Sequence, residues 1–194
     1  MLSLLADLQH LKRLDRTGWV LRGLAPGAES VAAHSYGVAV TAMLLADAAR
    51  GRGVVVEVER VLRLALLHDL AEARTGDMPR TMAGYYGAEA RRRAEGLAFA
   101  DVVRSLGEPL GGEYARLHDD YERRASLEAR LVKAADVVDL LAQALTFERA
   151  GARELDEFWE GAQERDFGLE GAAREVVAEA VGALVAARSE LRGR

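Results

Sequence analysis

Hydrophobic residues recur along most of the chain at the three- and four-residue spacing of an amphipathic helix. Leu4, Leu8 and Leu11 show this spacing near the start, with charged residues between them. Such a stripe lets one helix face pack into a core. No long stretch alternates with period two, as a half-buried strand would. The pattern predicts an all-α fold, with helices over about residues 2–14, 30–50, 57–73, 88–106, 112–124, 127–150, 154–163 and 169–192.

Residues 15–29 interrupt the helical pattern. The segment holds Gly18, Gly23, Pro26 and Gly27, which favour turns over regular structure. Ser30 follows it, and a serine there can act as N-cap by accepting a hydrogen bond from a backbone amide of the first turn. We therefore expect a loop that could bind a ligand, and then a helix that begins at Ser30.

Chain length and composition favour one helical domain. The 194 residues suffice for one hydrophobic core and are few for two. Half of them are apolar and three are proline, which suits helices. We predict a single domain over residues 1–194, with a functional core at about 30–150 and C-terminal helices at 151–194 for packing or an oligomer contact.

Charge and cysteine content exclude several classes of function. The formal net charge of −5 comes from 26 basic and 31 acidic residues spread along the chain, without the basic stripe that a polynucleotide requires. A small phosphate ester remains an admissible substrate. There is no cysteine, so any metal site must use His, Asp or Glu. No run approaches about 18 uninterrupted apolar residues, so we expect no membrane span and a cytoplasmic location.

The third predicted helix, at 57–73, carries polar groups on a face that should be apolar. His68 is followed directly by Asp69, and Glu72 lies on the same face at about 100° per helical residue. Burying them without partners would be costly, and a divalent cation is one suitable partner. A core histidine with a salt bridge at the helix end is the alternative. His10 and His118 show no such context and are expected at the surface.

Two further candidates are ambiguous from spacing alone. His34 lies one turn into an otherwise apolar helix face, where a histidine is usually structural. Asp136 has apolar residues four positions before and after it, so helical packing would bury it. Asp139 competes with Asp136, and periodicity does not decide between them.

Together these segments resemble the HD-domain superfamily, and in particular the HD-domain 5′-deoxynucleotidases. The resemblance rests on SVAAHS, LALLHDLAEARTGDMPR and LVKAAD, with RTGWVLRG before them, and covers about residues 5–158. The His-Asp pair alone is a weak signal. The pattern HDxxExxxGD followed by a proline, between a matching histidine and a matching aspartate, is specific. The resemblance implies an HD-domain helical bundle with one divalent metal in its core, held by His34, His68, Asp69 and Asp136.

The same resemblance implies roles for the residues around the metal. Glu72 and Asp77 match acidic residues implicated in catalysis. Trp19 matches a loop residue that holds the nucleotide, although it could instead anchor the loop in the core. Arg16 and Arg22 compete for the phosphate.

The expected reaction is hydrolysis of a deoxyribonucleoside 5′-monophosphate to the deoxynucleoside and phosphate. The partner is then a small nucleotide, with a homodimer expected from the alanine-rich C-terminal helix. Two alternatives remain open. One is an HD-domain phosphodiesterase or pyrophosphohydrolase acting on another nucleotide, and the other is a non-enzymatic helical binding protein.

Overall fold

The chain folds into helices joined by turns and loops. A computed structural model describes residues 1–193, with Arg80 and Ala83 described by their backbone alone. Within that range no strand is assigned beyond an isolated bridge between Asp15 and Ser30, which confirms the predicted all-α class. The helices are α1 (Leu2–Leu11), α2 (Thr17–Val20), α3 (Val31–Gly51), α4 (Val58–Leu67), α5 (Glu72–Thr75), α6 (Ala83–Tyr86), α7 (Ala88–Val103), α8 (Leu110–Arg123), α9 (Leu127–Arg149), α10 (Asp156–Trp159) and α11 (Gly171–Arg192). Short 3₁₀ turns cover Arg80–Met82 and Arg104–Leu106.

Contacts within the chain group it into two compact units. The first comprises Met1–Tyr36 and Leu66–Arg123, and the second comprises Gly37–Ala65 and Arg124–Arg194. Two of the three boundaries fall inside α3 and α4, and the third follows the end of α8, in the short connection to α9. The single domain over 1–194 stays a prediction.

The first unit is built around α7, which packs against α1, α5 and α8. Arg74 on α5 ties this arrangement together, because it bonds Asp7 on α1 and Asp101 on α7. The buried core of the unit consists of Leu4, Leu11, Val31, Leu70, Ala71, Ala73, Phe99, Val102 and Val103. The turn that follows α4 is therefore packed into this core through Leu70 and Ala71.

The second unit is built around α9, which packs against α10 and α11. Ser126 caps α9, since its hydroxyl accepts a hydrogen bond from the Ala129 amide at 3.1 Å. Leu131, Leu141 and Val177 are among the residues buried on these helices. The predicted helix at 169–192 is confirmed as α11, whose apolar residues are used for packing.

The predicted helix over 154–163 is wrong in its length. Only Asp156–Trp159 is helical. Glu154 before it and Gly161 after it adopt left-handed backbone conformations, with φ of 64° and 63°. A residue in that region cannot continue a right-handed helix, so the helical stretch is limited to one turn.

α3 is long and apolar enough to cross a membrane by length and composition alone. The core helix of a globular protein meets the same test, and Val31, Val38, Ala42 and Ala46 on α3 are fully buried. The feature is therefore weak evidence for a membrane span.

Candidate metal centre

His34 is placed by a capped helix start. Ser30 accepts a hydrogen bond from the Ala33 amide at 3.1 Å through its hydroxyl, and its carbonyl accepts one from the His34 amide. This confirms Ser30 as the N-cap of α3. The cap fixes the first turn, and His34 on that turn is buried, with 1% of its surface exposed.

His68 and Asp69 lie in a tight turn and not inside a continuous helix. α4 ends at Leu67, whereas the sequence predicts a helix that continues to about Ala73. The amides of Leu70 and Glu72 bond carbonyls three residues earlier instead of four. This narrower winding is of the 3₁₀ type, in which residues three apart lie in line. Glu72 is therefore in line with Asp69. In an α-helix the two side chains would be about 60° apart around the axis.

Three donor atoms of the first unit converge at this turn. The Nε2 atom of His68 lies 3.1 Å from Oδ2 of Asp69, and the Nε2 atom of His34 lies 3.7 Å from the same oxygen. The two imidazole rings meet edge to face, with centroids 5.5 Å apart. Sequence reasoning could not show that His34 reaches the His-Asp pair, and the structure brings the three together.

The environment of Asp69 favours its ionised form. Burial by itself would raise the pKa of this carboxyl, but the neighbouring charges of His68, Arg16 and His34 outweigh it and hold the pKa below its usual range. Asp69 therefore presents a carboxylate oxygen to the two imidazoles at neutral pH.

Arg16 joins Asp69 to Asp77. Its Nη1 atom lies 3.1 Å from Oδ2 of Asp69 and 2.9 Å from Oδ1 of Asp77. Of the two arginines predicted to compete for the phosphate, Arg16 is thus held beside the His-Asp turn by two carboxylates, and its role in phosphate binding stays a prediction. Arg22 is only partly buried, and its Nη1 atom donates to the Leu21 carbonyl at 3.3 Å.

Trp19 is buried inside the loop at 15–29. Its side chain is 1% exposed, and its indole N–H donates to Glu29. Of the two roles that the sequence left open for it, this geometry favours the loop anchor. Direct contact between the indole and a sugar stays a prediction. Glu29 is a residue that sequence reasoning missed, since nothing in its neighbours marks it as the partner of an indole.

Two other side chains flank the His-Asp turn in the first unit. Glu72 is buried, at 8% exposure, at the start of α5. Tyr121 on α8 meets the His68 ring edge to face, with centroids 5.4 Å apart. The tyrosine was not predicted, and it restricts the orientation of the His68 ring.

Asp136 and Asp139 belong to the second unit, on α9. Asp136 pairs with Lys133, whose Nζ atom lies 2.7 Å from Oδ2. Asp139 faces Gly37 so closely that a Cβ atom there would overlap its carboxylate. The two aspartates therefore have different surroundings, and the assignment of Asp136 as a metal ligand stays a prediction.

The donor set in the first unit fits a divalent transition metal. Donors that each lie about 2.1 Å from one ion are about 3.0 to 3.4 Å apart in octahedral or tetrahedral coordination. The separation of 3.1 Å between His68 Nε2 and Asp69 Oδ2 falls in this range, and the 3.7 Å between His34 Nε2 and the same oxygen is slightly longer. Imidazole nitrogens and a carboxylate oxygen suit Mn, Fe, Co, Ni or Zn.

The prediction that His118 lies at the surface is wrong. The ring is 4% exposed and stacks on Phe99, with centroids 4.1 Å apart. Burial, the largest influence, lowers the pKa of His118. The His68 charge acts in the same direction, and the nearby carboxylates of Glu95, Asp119 and Asp69 oppose it without prevailing. His118 is thus a neutral core residue.

Comparison with known proteins agrees with this geometry. Residues 8–167 match the HD domain family. Human 5′-deoxynucleotidase HDDC2 is 36% identical over 148 residues, which cover 76% of this chain and 68% of the human protein. The 5′-deoxynucleotidase hdd1 of Schizosaccharomyces pombe is 32% identical, with coverage of 79% and 77%. A conserved hypothetical protein from Pyrococcus furiosus superimposes with a TM-score of 0.82 at 35% identity, covering 96% of this chain and 99% of its own.

Proposed function

The chain belongs to the HD-domain 5′-deoxynucleotidases, and on that basis we propose that it hydrolyses deoxyribonucleoside 5′-monophosphates to the deoxynucleoside and phosphate. The observation that carries the proposal is the convergence of His34, His68 and Asp69, with Arg16 beside them. Two imidazoles and a carboxylate can bind a divalent metal, and the guanidinium beside them can pair with the phosphate oxygens of an ester.

His34, His68, Asp69 and Asp136 are the proposed ligands of one divalent metal. The first three are supported by their spacing, and Asp136 by the family resemblance of the segment around it. When bound, the metal would lower the pKa of water and offset negative charge on the phosphoryl oxygens. Tyr121 keeps the His68 ring in its orientation, and the Ser30 cap keeps His34 in register.

The family resemblance names Glu72 and Asp77 as catalytic carboxylates, and we propose Glu72 as the one that acts on the attacking water. Glu72 is buried and in line with Asp69, a position from which it can orient the attacking water and accept its proton. A buried carboxylate beside the ligands also has less bulk water competing for its hydrogen bonds. Asp77 lies on the segment after α5, next to Arg16.

Arg16, Arg22 and Trp19 are the proposed substrate-binding residues. The Arg16 guanidinium is held beside Asp69, and its remaining N–H groups can pair with phosphate oxygens. Arg22 is the alternative partner on the same loop. Trp19 would disfavour a ribonucleotide with its 2′-hydroxyl. Either its indole contacts the sugar, or it fixes the loop that makes this contact.

A ligand variant with a matched control tests the proposed metal site. Asp69→Asn should lose bound metal and phosphate release together. Asp101→Asn, which removes a carboxylate that pairs with Arg74 in the same unit, should keep both. Metal would be measured by mass spectrometry after dialysis, and phosphate by a colorimetric assay. If Asp69→Asn keeps its metal content, the ligand assignment is wrong.

The identity of the products separates this reaction from those of other HD-domain hydrolases. A 5′-nucleotidase releases only orthophosphate from a nucleoside monophosphate. A pyrophosphohydrolase would release pyrophosphate, and a phosphodiesterase would act on bis(para-nitrophenyl) phosphate. We expect orthophosphate alone. A homodimer and a cytoplasmic location are further proposals, to be tested by light scattering and cell fractionation.

A further inference from the structure

Asp77 uses both of its carboxylate oxygens to hold the loop at 15–29. Oδ1 accepts a hydrogen bond from Arg16 Nη1 at 2.9 Å, and Oδ2 accepts one from the Thr17 amide. The Thr17 hydroxyl in turn donates to the Asp77 carbonyl at 2.8 Å. The Asp77 side chain is 8% exposed. Because both carboxylate oxygens accept hydrogen bonds from the loop, Asp77 acts as an anchor in this arrangement.

The loop that Asp77 anchors is closed on itself. Asp15 accepts a hydrogen bond from the Gly27 amide at 3.1 Å, and the Arg16 amide donates to the Glu29 carbonyl at 3.0 Å. The Trp19 indole donates to the Glu29 carboxylate. Because these bonds cross the loop, it can move as one body. A contact that fixes Thr17 also fixes Trp19, two residues further along.

We propose that Thr17 and Asp77 form a clamp of positioning residues. The clamp holds the loop at 15–29 against the segment that follows the His-Asp turn, and so sets nucleotide affinity and the discrimination against a 2′-hydroxyl. This inference rests on the proposed function. Asp77 then contributes by positioning Arg16 and Trp19, and it does not protonate the leaving 5′-oxygen.

Thr17→Val tests the clamp with little change of shape. Valine replaces the hydroxyl by a methyl group and leaves the Asp77 carbonyl without that donor. The loss of one hydrogen bond corresponds to about a two- to ten-fold effect. We expect KM for a deoxynucleotide to rise by about that factor, with kcat less affected and the deoxy-to-ribo ratio of kcat/KM reduced. Thr17→Ser keeps the hydroxyl and should restore all three values.

Asp77→Asn separates positioning from proton transfer. A general acid acts on the 5′-oxygen, which ribo- and deoxyribonucleotides share, so its loss would lower kcat by the same factor for both. Loss of the clamp should instead change the deoxy-to-ribo ratio, because the loop is the segment proposed to contact the sugar. An Asp77→Asn variant with reduced kcat and an unchanged ratio would overturn the proposal.

Fluorescence of Trp19 gives a readout that does not depend on activity. The chain has two tryptophans, so Trp159→Phe leaves Trp19 as the only tryptophan, which is excited selectively at wavelengths where tyrosine does not absorb. The intact protein serves as a second background. Thr17→Val and Asp77→Asn should increase acrylamide quenching of Trp19, and Thr17→Ser should not. Unchanged quenching in both variants would refute the clamp. If quenching responds as expected but no nucleoside monophosphate is hydrolysed by the unaltered protein, the proposed function fails and the clamp stands.

Discussion

Arg188 and Glu148 form a largely buried bidentate ion pair in the second unit. Nε and Nη2 of Arg188 lie 2.9 and 2.7 Å from the two Glu148 oxygens. The side chains are only 12% and 7% exposed. The guanidinium carbon also lies 4.7 Å from the centre of the Trp159 ring. Arg188→Met would keep most of the side-chain volume while removing the charge and all of these contacts.

The expected cost follows from the burial of the carboxylate. Removing one partner of a buried ion pair typically costs about 3–5 kcal/mol, because the other charge stays buried and uncompensated. Arg192 lies 3.5 Å from the same Glu148 oxygen and can offset part of this loss. We therefore expect the lower end, about 3 kcal/mol. For a chain of this size, about 3 kcal/mol corresponds to a fall in Tm of roughly 6–12 °C.

Thermal and urea unfolding followed by circular dichroism would measure this effect. Arg52→Met is the matched control, because Arg52 makes a bidentate contact with Glu179 in the same unit, but both side chains are exposed, at 38% and 63%. The control should not shift the transition measurably. An Arg188→Met/Glu148→Met double variant should recover much of the loss, because no charge is left buried. Equal effects of Arg188→Met and Arg52→Met would refute the reasoning from burial.

Two further predictions concern local structure and pH. Ser126→Ala removes the cap of α9 and should lower the free energy of unfolding by about 1 kcal/mol, or the Tm by about 2–4 °C. Ser126→Asp should retain the cap. Thermal unfolding of both variants would check this. His118 has a lowered pKa in the folded state, so its contribution to the free energy of unfolding is present above its ordinary pKa of 6.5 and is lost as pH falls below it. His118→Phe, which can still stack on Phe99, should lose less stability between pH 7.5 and pH 5.5 than the unaltered protein in urea titrations, and an equal loss would contradict the role of His118.

Much of the helical framework could be predicted from local signals. The apolar stripes predict α3, α7, α8, α9 and α11 to within a few residues, and Ser30 marks the start of α3. These signals lie within a few residues of the feature they determine. His68 and Asp69 could be singled out because a histidine followed by an aspartate inside an apolar segment requires a partner. His34 and Asp136 could be named as ligands only through the family resemblance.

The arrangement around the turn could not be predicted, because it depends on contacts between distant residues. The tight winding at 68–71 interrupts a pattern that by period alone continues to Ala73. Asp77 meets Arg16 and Thr17 across about 60 positions of sequence. His118 is buried because Phe99 on another helix covers it, and nothing near it in the sequence shows this.

The central claim is that this chain is a metal-dependent 5′-nucleotidase that prefers deoxyribonucleotides. The most direct test measures phosphate release from matched ribo- and deoxyribonucleoside 5′-monophosphates by chelator-treated protein, before and after addition of Mn, Co, Mg or Zn. We predict no release without metal, and with metal a higher kcat/KM for each deoxy substrate than for its ribo counterpart. Release that persists without metal, or no release from any nucleotide with any metal, would contradict the account.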